Sequence, residues 1–303
     1  MTHSPGRLVS AATVLSLLAG GLTGCGLLDG SSPVEDALEY LPADATTVQF
    51  VDRAAIADRS PIADREGYAT ELAAWVDVMQ DAGFSDLDIT WEASGTSTDD
   101  GRVRVWKLDD DVDFDDLADD LNDAGYDSEG SGDVETFEIS VAEADEDGLY
   151  GGRYPSMLTS LALVPDEHLV LSGAVELAVD VAGDDEDSLS DAGTFTDLLD
   201  RAADADDLEF AGLTVEPCGL AVFADPDGVR AVRLFDDAET ARSDAEGLED
   251  LLADRAATTG FDVDLDVQSD GEAVTADASF GARRVMAQAW SRRDGPFACP
   301  SAE

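Results

Sequence analysis

The sequence predicts an α+β fold: mainly antiparallel sheet, in one or more pieces, with helices packed on one face. Three observations predict it. Short runs alternate apolar and polar residues with period two, clearest in 261–268. There Phe261, Val263, Leu265 and Val267 oppose Asp262, Asp264, Asp266 and Gln268. Such runs are joined by Asp-Gly turns, the strongest local hairpin signal. Between them lie longer stretches with one apolar stripe at helical spacing. One-sided alternation favours antiparallel pairing over a doubly wound parallel sheet.

The elements follow in chain order. Residues 46–52 (TTVQFVD) form a strand after the turn Leu41-Pro42-Ala43-Asp44. Residues 68–82 form a helix with Leu72, Trp75, Val76 and Met79 on one stripe. Residues 89–92 alternate as a strand, and Asp99-Asp100-Gly101 turns 91–94 back along 103–108. Residues 113–124 form a helix through Phe114, Leu117, Leu121 and Ala124. Residues 134–141 are a strand with Phe137, Ile139 and Val141 on its apolar side. Pro165-Asp166-Glu167 joins 161–164 to 168–171, and short helices over 174–182 and 194–203 follow. Asp225-Pro226-Asp227-Gly228 joins 220–224 to 229–234. Residues 238–257 form a helix carrying Ala241, Ala245, Leu248 and Leu252. Ser269-Asp270-Gly271 then joins 263–268 to 273–278, and a helix over 283–291 follows. Trp75, Trp91, Trp106 and Trp290 fall on apolar faces and read as core.

A weak internal repeat overlies this order. Residues 102–126 and 229–261 both run as a strand after a turn, Asp-Asp, a helix, then Gly and an aromatic into a further strand. Chance similarity in an Asp- and Ala-rich chain is the alternative. The expected organisation is a processing segment over 1–24, a tether over 25–33, and two related α+β halves over 34–155 and 156–303. No low-complexity linker parts the halves, so they share one sheet or pack closely.

Charge excludes whole classes of partner. Of 303 residues 69 are acidic and 17 basic, a net charge of -52. Asp outnumbers Glu 49 to 20, and Lys107 is the lone lysine. Nucleic acid requires a cationic footprint, which this chain lacks. An anionic membrane surface repels it. The chain is nevertheless a folding sequence, because 44% of it is hydrophobic and the apolar residues are periodic.

The N-terminus answers the membrane question differently. Arg7 precedes an uncharged apolar stretch, 8–22, that is short for a span and reads as a signal core. It ends in Leu22-Thr23-Gly24-Cys25. This tetrapeptide resembles the lipobox of bacterial lipoproteins. The resemblance covers only the signal and implies cleavage before Cys25 with a diacylglyceryl thioether on its sulfur. More than one acyl chain holds a protein stably on a bilayer. The implied location is the extracytoplasmic face of the cell membrane. With Cys25 lipidated, Cys218 and Cys299 remain in an oxidising compartment, where pairing is the default. Their bond would close a loop of ~80 residues, worth about 4 kcal/mol in the chain-entropy picture. Two separate thiols are the alternative. The body also resembles secreted or lipid-anchored bacterial proteins of unknown function. It shares with them a Leu-Pro-Ala-Asp opening, here 41–44, and a strand, helix and Asp-rich loop run, here 169–199. That likeness implies no activity.

Catalytic signatures are absent from the sequence. His168 is the one histidine after the signal segment, and no nucleophile motif, zinc motif or phosphate loop accompanies it. Paired carboxylates for glycoside hydrolysis cannot be singled out among 69 acids. Calcium is the better ligand expectation. Asp109, Asp111 and Asp113 hold the first, third and fifth places of an EF-hand loop, but Phe114 and Asp120 replace its Gly and Glu. The other reading is an acidic helix N-terminus. The few cations carry more information. Arg102, Arg104 and Lys107 lie on one hairpin arm, and Arg230 and Arg233 on the matching arm of the repeat. They would grip an anionic ligand or an acidic partner, or else pair within the chain. Arg153 and Tyr154 occupy a Gly-rich loop that would line a binding site or join the halves.

The expectation is therefore a lipid-anchored, extracytoplasmic, non-catalytic module that binds an envelope protein or a small ligand, with no cofactor. The alternatives are a solute-binding component of a transporter and an envelope hydrolase with paired carboxylates.

Overall fold

A computed structural model describes residues 32–57, 70–79, 82–97, 101–130, 134–140, 156–183, 185–202, 208–216, 218–253, 263–293 and 297. The first group of elements is helix α1 (Pro33–Leu38), strand β1 (Thr47–Asp52), helix α2 (Arg53–Ala57), strands β2 (Ile89–Thr96) and β3 (Arg102–Leu108), helix α3 (Phe114–Asp123), and strands β4 (Asp127–Gly130) and β5 (Glu135–Glu138). A hairpin, β6 (Ser160–Val164) and β7 (Leu169–Gly173), then leads into α4 (Val175–Ala182) and α5 (Gly193–Leu199). The last group is β8 (Phe210–Thr214), β9 (Gly219–Ala224), β10 (Gly228–Leu234), α6 (Ala238–Ala253), β11 (Asp266–Asp270), β12 (Ala273–Ser279) and α7 (Arg283–Arg292).

The strands make one 12-stranded sheet in the order β11-β12-β10-β9-β8-β1-β2-β3-β7-β6-β5-β4. Every neighbouring pair is antiparallel. The class is α+β, as the alternation and the Asp-Gly turns imply.

Helices cover both faces of the sheet rather than one. The cause is in the central strands, which are apolar on both sides. Leu161 and Leu163 of β6 join the core that holds Phe114, Leu117 and Leu121 of α3. Their neighbours Ala162 and Val164 join the opposite core, with α1, α4 and α5. A third cluster lies on the α3 side, where Met286, Ala289 and Trp290 of α7 meet Leu220, Val222 and Ala231. Alternation reports one buried face and leaves the helices on the second face unannounced.

The sheet also joins what the sequence divides. β1-β2-β3-α3-β4-β5 and β8-β9-β10-α6-β11-β12 run in the same order, and β1 pairs with β8 at their junction. The two groups differ by one insertion. β10 pairs directly with β12, whereas the β6–β7 hairpin sits between β3 and β5. Residue 155 is therefore no seam in the sheet, because β6 and β7 follow it in sequence yet pair with β5 and β3.

Local chemistry sets the ends of several elements. Ser32 and Glu35 form a reciprocal capping box at α1, with Pro33 at its first position. Asp113 caps α3, accepting from the backbone N–H groups of Asp115 and Asp116. The outermost strands β4 and β11 are exposed and carry Asp127, Glu129, Asp266 and Asp270, charges that discourage edge-to-edge pairing.

Residues 68–82 depart from expectation. A 3-10 turn over Glu71–Trp75 replaces the expected long helix, although Leu72 and Met79 reach the core. Polar contacts fix this segment. The Glu92 carboxylate accepts the Glu71 backbone N–H at 3.0 Å, and the Glu71 side chain is held by two arginines. Tertiary contacts here override helical spacing. Among the described residues no helix is long and apolar enough to cross a membrane.

Candidate functional site

Strand register builds the site. Residues paired across an antiparallel ladder share a face. On the α3 and α7 face, one cross-strand row reads Ala276, Ala231, Val222, Gly212, Gln49, Ser94, Arg104, Ser172, Leu161, Phe137. It is apolar at both ends and polar in the middle. The next row carries Thr214, Thr47, Thr96 and Arg102. A polar strip thus crosses the centre of the sheet between the apolar cluster under α3 and the one under α7.

Two arginines frame this strip. Arg102 of β3 forms an ion pair with Glu71 and donates to the Ser94 hydroxyl at 2.7 Å. Arg293 follows the last turn of α7 in the left-handed region, with φ 57°. It donates to the Thr214 hydroxyl, and its guanidinium lies 5.1 Å from the centre of the Trp290 ring. Burial pushes both guanidinium pKa values below the ordinary arginine value. Among the described residues Arg293 has no carboxylate partner.

Trp290 forms the wall between the strip and the α7 core. Its ring meets Phe210 edge-on at 6.3 Å and 81°. It lies flat against β8 because position 212 is glycine; a Cβ there would stand 2.9 Å from the ring. Thr47, Gln49, Ser94, Thr96, Arg102 and Arg293 line a pocket of about 220 Å³ here, with Trp290 beside them. Among the described residues lining it there is no Asp or Glu, in a chain with 69 acids. Arg102 Nε, Trp290 Nε1 and Arg293 Nη1 are buried donors with no acceptor among the described residues.

Glu92 sits one row further along, in the same ladder. It is 3% exposed and accepts from Trp106 Nε1 at 2.6 Å. Burial pushes its carboxyl pKa up to about 7, with the nearby Glu71 charge adding to the rise; the Trp106 and Glu71 N–H bonds and Arg102 oppose it. Arg104 donates from Nε to Glu71 at 2.6 Å, so Glu71 is shared between both arginines of β3.

The other arginines of the repeat, Arg230 and Arg233, are both paired within the chain. Arg230 faces the opposite side and grips Asp277 with two bonds of 2.7 and 3.1 Å. Arg233 pairs with Asp244 of α6 at 2.7 Å. It lines the larger cavity, about 450 Å³, with Cys218, Asp236 and Asp237. That cavity offers an anion less, because its arginine is neutralised and two acids share its wall. Arg153 and Tyr154 lie outside the described residues. Lys107 is drawn off to the Glu167 carbonyl at 2.5 Å.

The acidic run serves the backbone. Asp109 accepts the Asp111 N–H at 3.0 Å, and Asp113 is the cap of α3. No group of acids, histidines or cysteines among the described residues is arranged to hold a metal ion. His168 occupies the αL position of the β6–β7 turn, with φ 50°, and its ring meets Phe114 edge-on at 5.3 Å.

Of the arginines singled out from sequence, Arg102 alone lines the acid-free pocket. Arg293, Trp290 and the Thr47, Gln49, Ser94, Thr96 group were not singled out. A signal for part of them exists. Thr47 and Gln49 alternate with Val48 and Phe50, and Ser94 and Thr96 lie on the polar side of β2. Polar alternates in a central strand, where both faces are covered, mark a site. Nothing local marks Arg293, which reaches the strip from the far end of the chain.

No family model matches this chain, and no curated protein matches it. A solved structure, crystal form I of TP0453, aligns with a TM-score of 0.39 at 10% identity, covering 83% of this chain and 96% of that one. At that level it carries nothing about function.

Proposed function

We propose that this protein is a lipid-anchored, extracytoplasmic, non-catalytic module that binds a ligand or partner at the cell envelope. One observation carries the binding half: an arginine-framed pocket free of acids at the centre of an otherwise strongly acidic fold. The lipobox Leu22-Thr23-Gly24-Cys25 supports the anchor. No observation favours the transporter or hydrolase alternatives over this reading.

The anchor is tested by fractionating cells. The native protein is expected in the membrane fraction, and Cys25→Ala in the soluble extracytoplasmic fraction. An unchanged distribution would sink the anchor.

The Cys218–Cys299 bond belongs to the same proposal, since it presumes an oxidising compartment. Cys299 lies outside the described residues. Support comes from Phe297, which is fully buried in the cluster that Cys218 packs against, so the tail returns to that neighbourhood. Cys218 is engaged rather than free. A thiol count on the denatured, unreduced protein is expected to find neither residue reactive; two reactive thiols would refute the pairing.

A further inference from the structure

We infer that the pocket framed by Arg102, Trp290 and Arg293 binds a small oxyanion, a phosphate or carboxylate group. This rests on the binding reading above and names its ligand class.

Three features point to it. The first is donor excess. Arg102 Nε, Trp290 Nε1 and Arg293 Nη1 belong to residues lining one pocket, and each is buried without an acceptor among the described residues. A buried donor left unpaired costs about 1–3 kcal/mol, more for a charged group. A ligand rich in acceptor oxygens matches a pocket whose lining is dominated by donors, and an anionic one also matches its two guanidinium groups, which a cationic ligand does not. Gln49 and the Thr47, Ser94 and Thr96 hydroxyls add neutral donors around it.

The second feature is charge selection. Arg230 and Arg233 each meet an aspartate, and Arg104 meets Glu71. Among the described residues Arg293 meets a threonine hydroxyl and a tryptophan face, and no carboxylate. In a chain of net charge -52, Arg293 lines the pocket half-buried and makes no ion pair with a described carboxylate. Arg102 shares Glu71 with Arg104, so the carboxylate there does not fully neutralise both.

The third feature is size. About 220 Å³ suits a compact anion and a short substituent, not a polymer chain. The rigid floor helps, because β1, β2, β3 and β8 fix the donors in register before any ligand arrives. The oxyanion could be free in solution or belong to a lipid headgroup, and the same donors would hold either.

The test uses the full chain carrying Cys25→Ala. Inorganic phosphate and succinate are titrated by calorimetry, with glycerol as a neutral control, and phosphatidylglycerol vesicles are tested against phosphatidylcholine vesicles by flotation. Saturable binding of phosphate or succinate, but not glycerol, is the expected result for a free ligand. Selective flotation with phosphatidylglycerol alone places the oxyanion on a headgroup. In either case Arg293→Gln should weaken binding about tenfold or more, the loss of one charge-assisted bond. Its melting temperature should stay close to that of the parent, since Arg293 leaves no orphaned carboxylate. Arg293→Lys should restore part of the affinity. Binding by none of these probes, or binding unchanged in Arg293→Gln, overturns the inference. Neither result touches the anchor, which is read separately from the membrane fraction of Cys25→Ala.

Discussion

Asp86→Ala is expected to destabilise the fold by about 3–5 kcal/mol. Asp86 lies in the 3-10 turn Asp86–Asp88 that leads into β2, and Arg53 opens α2 straight after β1. Their ion pair is 2.5 Å long, with side chains only 3% and 9% exposed. The Thr70 hydroxyl also donates to Asp86. Removing the carboxylate leaves the Arg53 cation buried without its partner and strands the Thr70 hydroxyl. The cost is that of an uncompensated charge, not of the pair itself. Arg53→Met with Asp86→Leu should therefore recover most of the loss, because apolar side chains of similar volume need no partner. Urea unfolding of the two variants separates these cases. A loss under about 1 kcal/mol in Asp86→Ala, on the scale of a surface pair, would show that the pair is solvated in solution.

The second large effect is a pH dependence centred on Glu92. Its carboxyl pKa in the folded protein is about 7, against an ordinary value of 4.5. A raised pKa means that the folded state holds the proton more tightly than the unfolded chain. This contribution is fully present below about pH 4.5 and is lost as pH rises to about 7. The shift corresponds to about 3 kcal/mol. Ionisation of the many surface acids adds self-repulsion over part of this range. The informative quantity is thus the difference between the native protein and Glu92→Gln. Gln keeps one oxygen for Trp106 or for the Glu71 N–H, so the variant carries a constant offset. Its stability should fall less between pH 4.5 and 7 than that of the native protein. Equal slopes would mean that Glu92 titrates as an exposed carboxyl.

Both effects come from polar groups buried in a sheet whose centre the sequence renders only in part. The strands and hairpins are legible because Asp-Gly turns and period-two runs are local signals. Asp225 shows this well: its side chain accepts the Asp227 and Gly228 N–H groups at 2.8 Å, and the turn closes β9 on β10. The two ranges 102–126 and 229–261 hold β3-α3, just before β4, and β10-α6, ahead of β11. What escapes is non-local. The insertion of β6–β7 between β3 and β5 depends on pairing that no window of sequence displays. Helices on both faces follow from runs such as SLALV and GLAVFA, which look the same whether their two sides meet one core or two. Glu71 reads as the polar side of a helix until Arg102, Arg104 and the Glu92 carboxylate are seen to hold it.

The pocket illustrates the same limit. Arg102 and Arg104 look equivalent in sequence, two residues apart on one strand. Only Arg102 lines the pocket with Arg293, while Arg104 borders a separate, smaller one near Ser156. Arg233 looks as promising as either and is instead consumed by Asp244. In a chain so rich in acid, an arginine is informative mainly through the acids it avoids, and that is a property of the fold.

The most direct measurement of the central claim follows the Trp290 indole N–H by nuclear magnetic resonance during titration with phosphate or succinate. Four tryptophans give four indole signals, and Trp290→Phe assigns the relevant one. The Trp290 signal should shift saturably while that of Trp106, already bonded to Glu92, stays put, and Arg293→Gln should suppress the shift. A Trp290 signal indifferent to either anion, or one that shifts equally in Arg293→Gln, would contradict an oxyanion site at the centre of this sheet.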